Sequence, residues 1–419
     1  MEWGRPDRTG SVTKCSKKGK IMEIKHGLIS CDSHAQMDKE NWTKRMSKAK
    51  WGDRIPHLIE TTDKAYIIDE IIARGPAGTK DHPVERWQVN GVIVGDRGPA
   101  NCPTVMGDPM RKYYPQRWEE VPTKVYDPVE RLKAQDEDGI DAEILFPNDP
   151  VQGGTFFQGG DAEFELACIQ AYNDGLTEWY EVSDRYIPLA LIPYLGGIES
   201  TVGEVERVAK KGHRGIVMLA EPSYSLKGLK HFNDPYWDPL WATCQDLDLV
   251  VHWHGAGGLR LGMPRWEGYT RWETQAVGVA SGHGTLAQYL SNVMFSGVLD
   301  RYPRLQWVCA ETGLGWVNYI LEGCDHEWER RHLWTEGMAL RPSELFRRQM
   351  YVDFWYEEAG VEMRHQIGMN NIMWESDFPH STATYPDSWK FVERSLKGVP
   401  QEEREQLLYG NAARLYKLT

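Results

Sequence analysis

No two of the chain's seven cysteines form a Cys-x-x-Cys pair; they stand scattered at positions 15, 31, 102, 168, 244, 309 and 324. An odd, dispersed set argues against a disulfide framework and fits a reduced, cytoplasmic setting. Cys31 and Cys309 fall within predicted strands, where a buried thiol acts as a small apolar residue. Long apolar runs are missing too. The basic residues Lys14, Lys17, Lys18 and Lys20 are followed by no stretch able to serve as a signal-peptide core or membrane span. Residues 1–24 are therefore expected to form a basic arm, flexible or packed on a partner. Positive charge is otherwise short: 48 Lys and Arg against 61 Asp and Glu leave a net charge of −13. Such a surface repels nucleic acid and anionic lipid, so neither is an expected partner.

What the 419 residues do hold is core material, 41% apolar with 18 Trp and 19 Tyr, and a 26% charged fraction that argues for a soluble protein. Eight short apolar runs, at 26–31, 142–146, 187–194, 215–220, 249–254, 305–310, 350–356 and 371–375, read as strands buried on both faces. Helical patterns at 127–138, 162–183, 199–211 and 286–298 alternate with them, which implies right-handed crossovers and a parallel sheet. Asp127-Pro128 reads as an N-cap with proline at the first helical position, and Gly139 closes that helix. The expected fold is a distorted (β/α)8 TIM barrel over 25–419, with a long Gly- and Pro-rich insertion after the first strand, about 53–122, capping the mouth. A second long connection, 254–292, is expected to line the same mouth.

Several strands end on acid or imidazole side chains, and a barrel gathers strand ends on one rim, where residues far apart in sequence can share an ion. Asp32 and His34 flank one residue, so period-two geometry points both inward. An isolated Asp-x-His is common by chance and carries little weight alone. His252 and His254 repeat the spacing at the end of the fifth run. His252 is expected as a ligand, because an inward imidazole is costly without a partner; His254 is either a ligand or a rim histidine bonded to water or substrate. Asp377 ends the eighth run in Glu375-Ser376-Asp377-Phe378-Pro379-His380, beside the first strand of a closed barrel. On its own it could merely cap a helix. Imidazoles with carboxylates suit a divalent ion, with zinc the first expectation and manganese or iron the others.

The order Asp-x-His, then His after the fifth strand, then Ser-Asp-Phe-Pro-His resembles the amidohydrolase superfamily, in the branch of aminocarboxymuconate-semialdehyde decarboxylase and related aromatic-acid decarboxylases. The stretches Tyr126-Asp127-Pro128 to Phe146-Pro147, Asp300-Arg301-Tyr302-Pro303-Arg304-Leu305 and Ala310-Glu311-Thr312-Gly313-Leu314-Gly315-Trp316 share it, so that the likeness covers 28–415. The resemblance implies a metal held by Asp32, His34, His252 and Asp377, and an assembly of two or more chains. This chain departs from the pattern twice: Glu311 stands where those decarboxylases carry a catalytic histidine, and Met37 stands where many relatives carry a glutamate.

The resulting expectation is a metal-dependent enzyme acting on a small carboxylate-bearing substrate by hydrolysis or non-oxidative decarboxylation, with Glu311, His254 and Asp377 in the chemistry. Arg260, Arg265 and Arg271 are candidate anion holders, and Trp253, Trp266 and Trp316 candidate pocket walls, although surface and core positions are their defaults. Two alternatives come from other classes. Asp38, His254, Glu311 and His380 are the donors from which a second metal site could be built, as in dinuclear iron or iron–manganese monooxygenases on the same barrel. Alternatively, the chain is a supporting subunit, its mononuclear metal structural, in a hetero-oligomer with a related catalytic chain.

Overall fold

Each of the eight runs becomes a strand, and the eight strands pair in parallel in chain order: β1 (Ile29–Ala35), β6 (Ala142–Pro147), β7 (Tyr186–Leu191), β8 (Gly215–Val217), β9 (Val250–His254), β10 (Trp307–Ala310), β11 (Met350–Phe354) and β12 (Ile372–Trp374). In this computed structural model the described residues are 22–68, 71–74, 80–95, 98–106, 114–151, 156, 160–254, 267–269, 271–282, 284 and 286–418. Most of the basic arm, Cys15, Arg260, Arg265, Trp266 and the side chain of Arg271 lie outside them. The sheet closes where β12 returns to β1, through His34 N–H to Phe378 O (2.7 Å) and Asp377 N–H to Asp32 O (2.9 Å). With helices between successive strands, this is a (β/α)8 barrel.

β1 begins three residues later than the run at 26–31 suggests, so Asp32 and His34 lie within the strand. The reason is local. The Asp141 carboxylate collects the backbone N–H groups of Lys25, His26, Gly27 and Leu28 at 2.6–3.2 Å, holding that segment in a turn. Helix Pro128–Asp138 starts and stops as expected, with Asp127 accepting from the N–H of Val129 and Glu130 and Gly139 left-handed at φ 71°. Helix Leu286–Phe295 ends before the predicted 298, and left-handed Gly297 (φ 75°) follows.

Within 53–122 lies an antiparallel sheet in the order β3-β2-β4-β5, made of β2 (His57–Ile68), β3 (Ile71–Arg74), β4 (Lys80–Val89) and β5 (Val92–Val94). Asn90 and Gly91 join β4 to β5 with φ of 52° and 77°, the left-handed pair a two-residue hairpin demands. The chain then returns across the barrel mouth, where Thr104 N–H reaches Pro379 O (3.4 Å) and Asn148 Nδ2 reaches Asn101 O (3.1 Å). Trp253, alternating with the two histidines of β9, faces outward and packs on Trp307 and Phe232 at centroid distances of 5.1 and 5.4 Å. It belongs to the strand–helix core and not to a pocket wall.

Away from the mouth, His213 is buried with Nε2 beside Thr177 Oγ1 (3.1 Å) and Asn173 O (3.2 Å), and burial pushes its pKa down to about 3. The folded state keeps this imidazole neutral while the unfolded chain protonates near pH 6.5. Its contribution to stability is therefore complete above that pH and is lost as pH falls toward 3. From this group alone, stability is expected to drop by about 2 kcal/mol between pH 8 and pH 5. Urea unfolding of wild type and His213→Gln at the two pH values reads it directly; identical pH dependences would disprove the assignment.

Candidate metal centre

Asp32 and His34 project from β1 into the barrel, both fully buried. The Nδ1 of His34 lies 2.8 Å from the carbonyl oxygen of Pro147. A carbonyl offers only lone pairs, so Nδ1 carries the hydrogen and Nε2 is left facing the barrel centre. Around that Nε2 stand Asp32 Oδ1 (3.3 Å), Asp377 Oδ1 (3.4 Å) and His254 Nε2 (3.1 Å). His254 Nε2 also lies 3.1 Å from Asp32 Oδ2, and His380 Nδ1 lies 2.9 Å from Asp377 Oδ1. The ligand atoms of Asp32, His34 and His254 fall within 4.8 Å of one another, as do those of His34, Asp377 and His380.

The electrostatics favour a cation there. Burial alone would raise Asp32, but the imidazoles of His254 and His34 outweigh it and hold the carboxyl at about 2. Asp377 is likewise kept well below the usual carboxylate range, against its burial, by His380 and His34. In return Asp32 and Asp377 overcome the burial of His34 and raise it to about 10. Asp32 and Glu311 raise His254, again against burial. Neither oxygen of Asp32 nor Oδ1 of Asp377 receives a well-aligned hydrogen bond, and such orphaned buried acceptors cost several kcal/mol unless positive charge meets them. The donor set therefore fits a divalent ion, and its mixture of carboxylate and imidazole suits manganese as well as zinc.

His252, expected from sequence as a ligand, stands apart from this convergence. Its Nε2 meets Tyr416 Oη at 2.7 Å, and its Nδ1 lies 3.2 and 3.1 Å from the carbonyl oxygens of Ile216 and Val250. Register explains the difference: His252 sits level with Val217 and Val308, whereas His254 sits level with Ala310, one interior layer nearer the rim. Burial pushes His252 down to about 3, so it stays neutral. Space for its ring depends on Gly215, where a Cβ would stand 2.5 Å from His252 Cε1.

Glu311 follows β10 at the rim, its side chain 15% exposed and its Oε2 3.7 Å from His254 Nδ1. Glu311 and Asp377 adopt left-handed φ of 57° and 56°. That conformation costs an L residue about 1–2 kcal/mol, and such strain gathers at functional sites.

Across residues 82–418 the chain matches the family model described as Amidohydrolase. The chain belongs to the amidohydrolase family. It is 25% identical over 310 residues to the Decarboxylase orsB of Emericella nidulans, a match spanning 69% of this chain and 85% of that protein. A solved amidohydrolase from Mycobacterium avium subsp. paratuberculosis is similar with a TM-score of 0.65 at 19% identity, over 93% of this chain and 98% of the other. A dihydroxybenzoic acid decarboxylase from Polaromonas, solved with manganese and 2-nitroresorcinol, gives a TM-score of 0.55 at 21% identity, over 72% and 89% of the two chains. The present amidohydrolase is accordingly an enzyme of the metal-dependent hydrolase or decarboxylase type.

Other parts of this amidohydrolase's site escaped the sequence. Thr382 donates a hydrogen bond from Oγ1 to Asp377 Oδ2, leaving Oδ1 to face the centre. Neither this contact nor the Pro147 carbonyl has a sequence signal, since each depends on how loops fold back. Behind the centre, Asp353 and Glu375 are fully buried and pushed well above the carboxylate range, by burial first and neighbouring carboxylates second. Burial and the neighbouring carboxylates thus favour their neutral forms. Asp38 turns away to accept from Glu40 N–H at 2.8 Å and to pair with Lys44, and Met37 is buried in the core. Trp316 is half-buried near the rim, its Nε1–H donating to Thr312 O (2.8 Å). Among the described residues no helix is long and apolar enough to cross a membrane.

Proposed function

We propose that this amidohydrolase removes carbon dioxide from a small aromatic carboxylate, using one divalent ion held by Asp32, His34, His254 and Asp377, with His380 beside it. The observation that carries the reading is the convergence of these side chains on His34 Nε2. Both donor triplets share His34, which favours one centre over two. The likeness to proteins named decarboxylases, one acting on a dihydroxybenzoic acid with manganese bound, supports the reaction and the substrate class.

When bound, the ion supplies positive charge to the oxygens of the substrate. The chain's own residues do the rest. Asp32 and Asp377 stay ionised and fix where that charge sits. Glu311 stands at the rim, where it can hand a proton to the ring carbon as the carbon–carbon bond breaks and its electron pair returns to that carbon. At the mouth, Thr104 N–H in the segment 100–106 reaches the carbonyl oxygen of Pro379 at 3.4 Å.

The test is to load the protein with manganese and follow carbon dioxide release from a panel of mono- and dihydroxybenzoates. Metal-dependent release is expected from at least one of them. Hydrolysis of amides or lactones with no release from any acid would transfer the protein to the hydrolases.

A further inference from the structure

Arg131 is almost completely buried, at 1% exposure, in helix Pro128–Asp138. One edge of its guanidinium grips Glu143 on β6, with Nε to Oε2 and Nη2 to Oε1 both at 2.9 Å. Gln135 Nε2 also donates to Glu143 Oε2 (2.6 Å), so the carboxylate cannot swing away. The remaining N–H groups point at two backbone carbonyls, Nη1 at His34 O (3.3 Å) and the second hydrogen of Nη2 at Phe378 O (3.5 Å), and the guanidinium stacks 3.9 Å from the centre of the Phe378 ring.

Those carbonyls belong to the two sides of the barrel's closure. Between β1 and the end of β12 the described pairing is an isolated bridge, Ser33 to Phe378, in place of a continuous ladder. Hydroxyls make up part of the shortfall: Ser30, Ser33 and Ser376 lie within 3.0–3.1 Å of one another. This thinly bonded seam carries His34 on one side and Asp377 on the other. A rigid, five-donor fork that binds both sides and a neighbouring strand sets their separation in a way a lysine cannot reproduce.

We infer that Arg131 is a positioning residue that sets the spacing of His34 and Asp377 for the ion by clamping their two strands to β6. The inference rests on the proposed ligand set. Removing Arg131 alone strands Glu143 as a buried charge, so Arg131→Met could fail simply by misfolding. The double variant Arg131→Met/Glu143→Leu removes the charge pair together, and Arg131→Lys keeps the charge without the fork.

Manganese affinity would be measured by calorimetry on the full chain, beside the thermal midpoint of the metal-free protein. The double variant is expected to melt close to wild type yet bind manganese roughly 10–100-fold more weakly, the usual loss when an outer support of a metal ligand is removed. Arg131→Lys should also bind more weakly than wild type, with the electron paramagnetic resonance lines of bound manganese altered. Wild-type affinity in both variants would overturn the positioning role while leaving the centre intact. Failure of the wild-type protein to bind manganese, zinc or iron would overturn the centre itself, and the inference with it.

Discussion

Asp377→Ala is expected to leave a folded chain that no longer retains its metal on purification. Asp377 Oδ1 is one of two carboxylate oxygens within 3.4 Å of His34 Nε2. Losing an outer support costs roughly 10–100-fold in affinity, so loss of a ligand should exceed roughly 100-fold and carry turnover down with it. His254→Ala should behave alike. His252→Asn is the informative contrast, because His252 bonds to Tyr416 one layer below the centre. It should keep full metal stoichiometry and lose about 1–3 kcal/mol of stability from the broken buried hydrogen bond. Metal content by mass spectrometry on the three variants decides the matter. Full metal in Asp377→Ala, or none in folded His252→Asn, would rule out this ligand set.

Glu311→Gln is expected to separate metal binding from chemistry. The amide preserves the side chain's shape but can no longer exchange a proton, and loss of a general acid or base costs roughly 100- to 10,000-fold in rate. With the metal content unchanged, kcat should fall by that factor while KM moves little. Undiminished turnover would remove Glu311 from the proton path. Loss of the ion would instead make Glu311 a ligand, which its 3.7 Å approach to His254 brings within reach of a small side-chain rotation.

The fold was open to a reading of the sequence because its signals are local. A buried parallel strand needs a short Val-, Ile- and Leu-rich run, and all eight runs became barrel strands. Helix Pro128–Asp138 was equally clear, since Asp127, Pro128 and Gly139 act within one turn of its ends. The start of β1 was not, because Asp141, more than a hundred residues away, holds the segment before it in a turn. The antiparallel sheet inside 53–122 was hidden for a related reason: Gly and Pro advertise turns, and the pairing of β2 with β4 depends on partners the local pattern does not name.

For the candidate site, residue types and their order were legible in the chain, and layer and orientation were not. Asp32, His34, Glu311, Asp377 and His380 could be selected because acids and imidazoles at strand ends are costly unless they are used. His252 and His254 share a spacing of two and hence a face, so no periodicity could rank them; the register of β9 against β10 lifted one to the rim and sank the other beside Tyr416. By itself, then, the sequence determined the barrel, the family and the chemistry available at the rim, because these follow from hydrophobic patterning and side-chain type. Only the tertiary structure decided which histidine joins the cluster around His34, which carbonyl orients His34 and how β1 meets the end of β12. Those features arise from closure of the sheet, which brings positions hundreds of residues apart to within hydrogen-bonding distance.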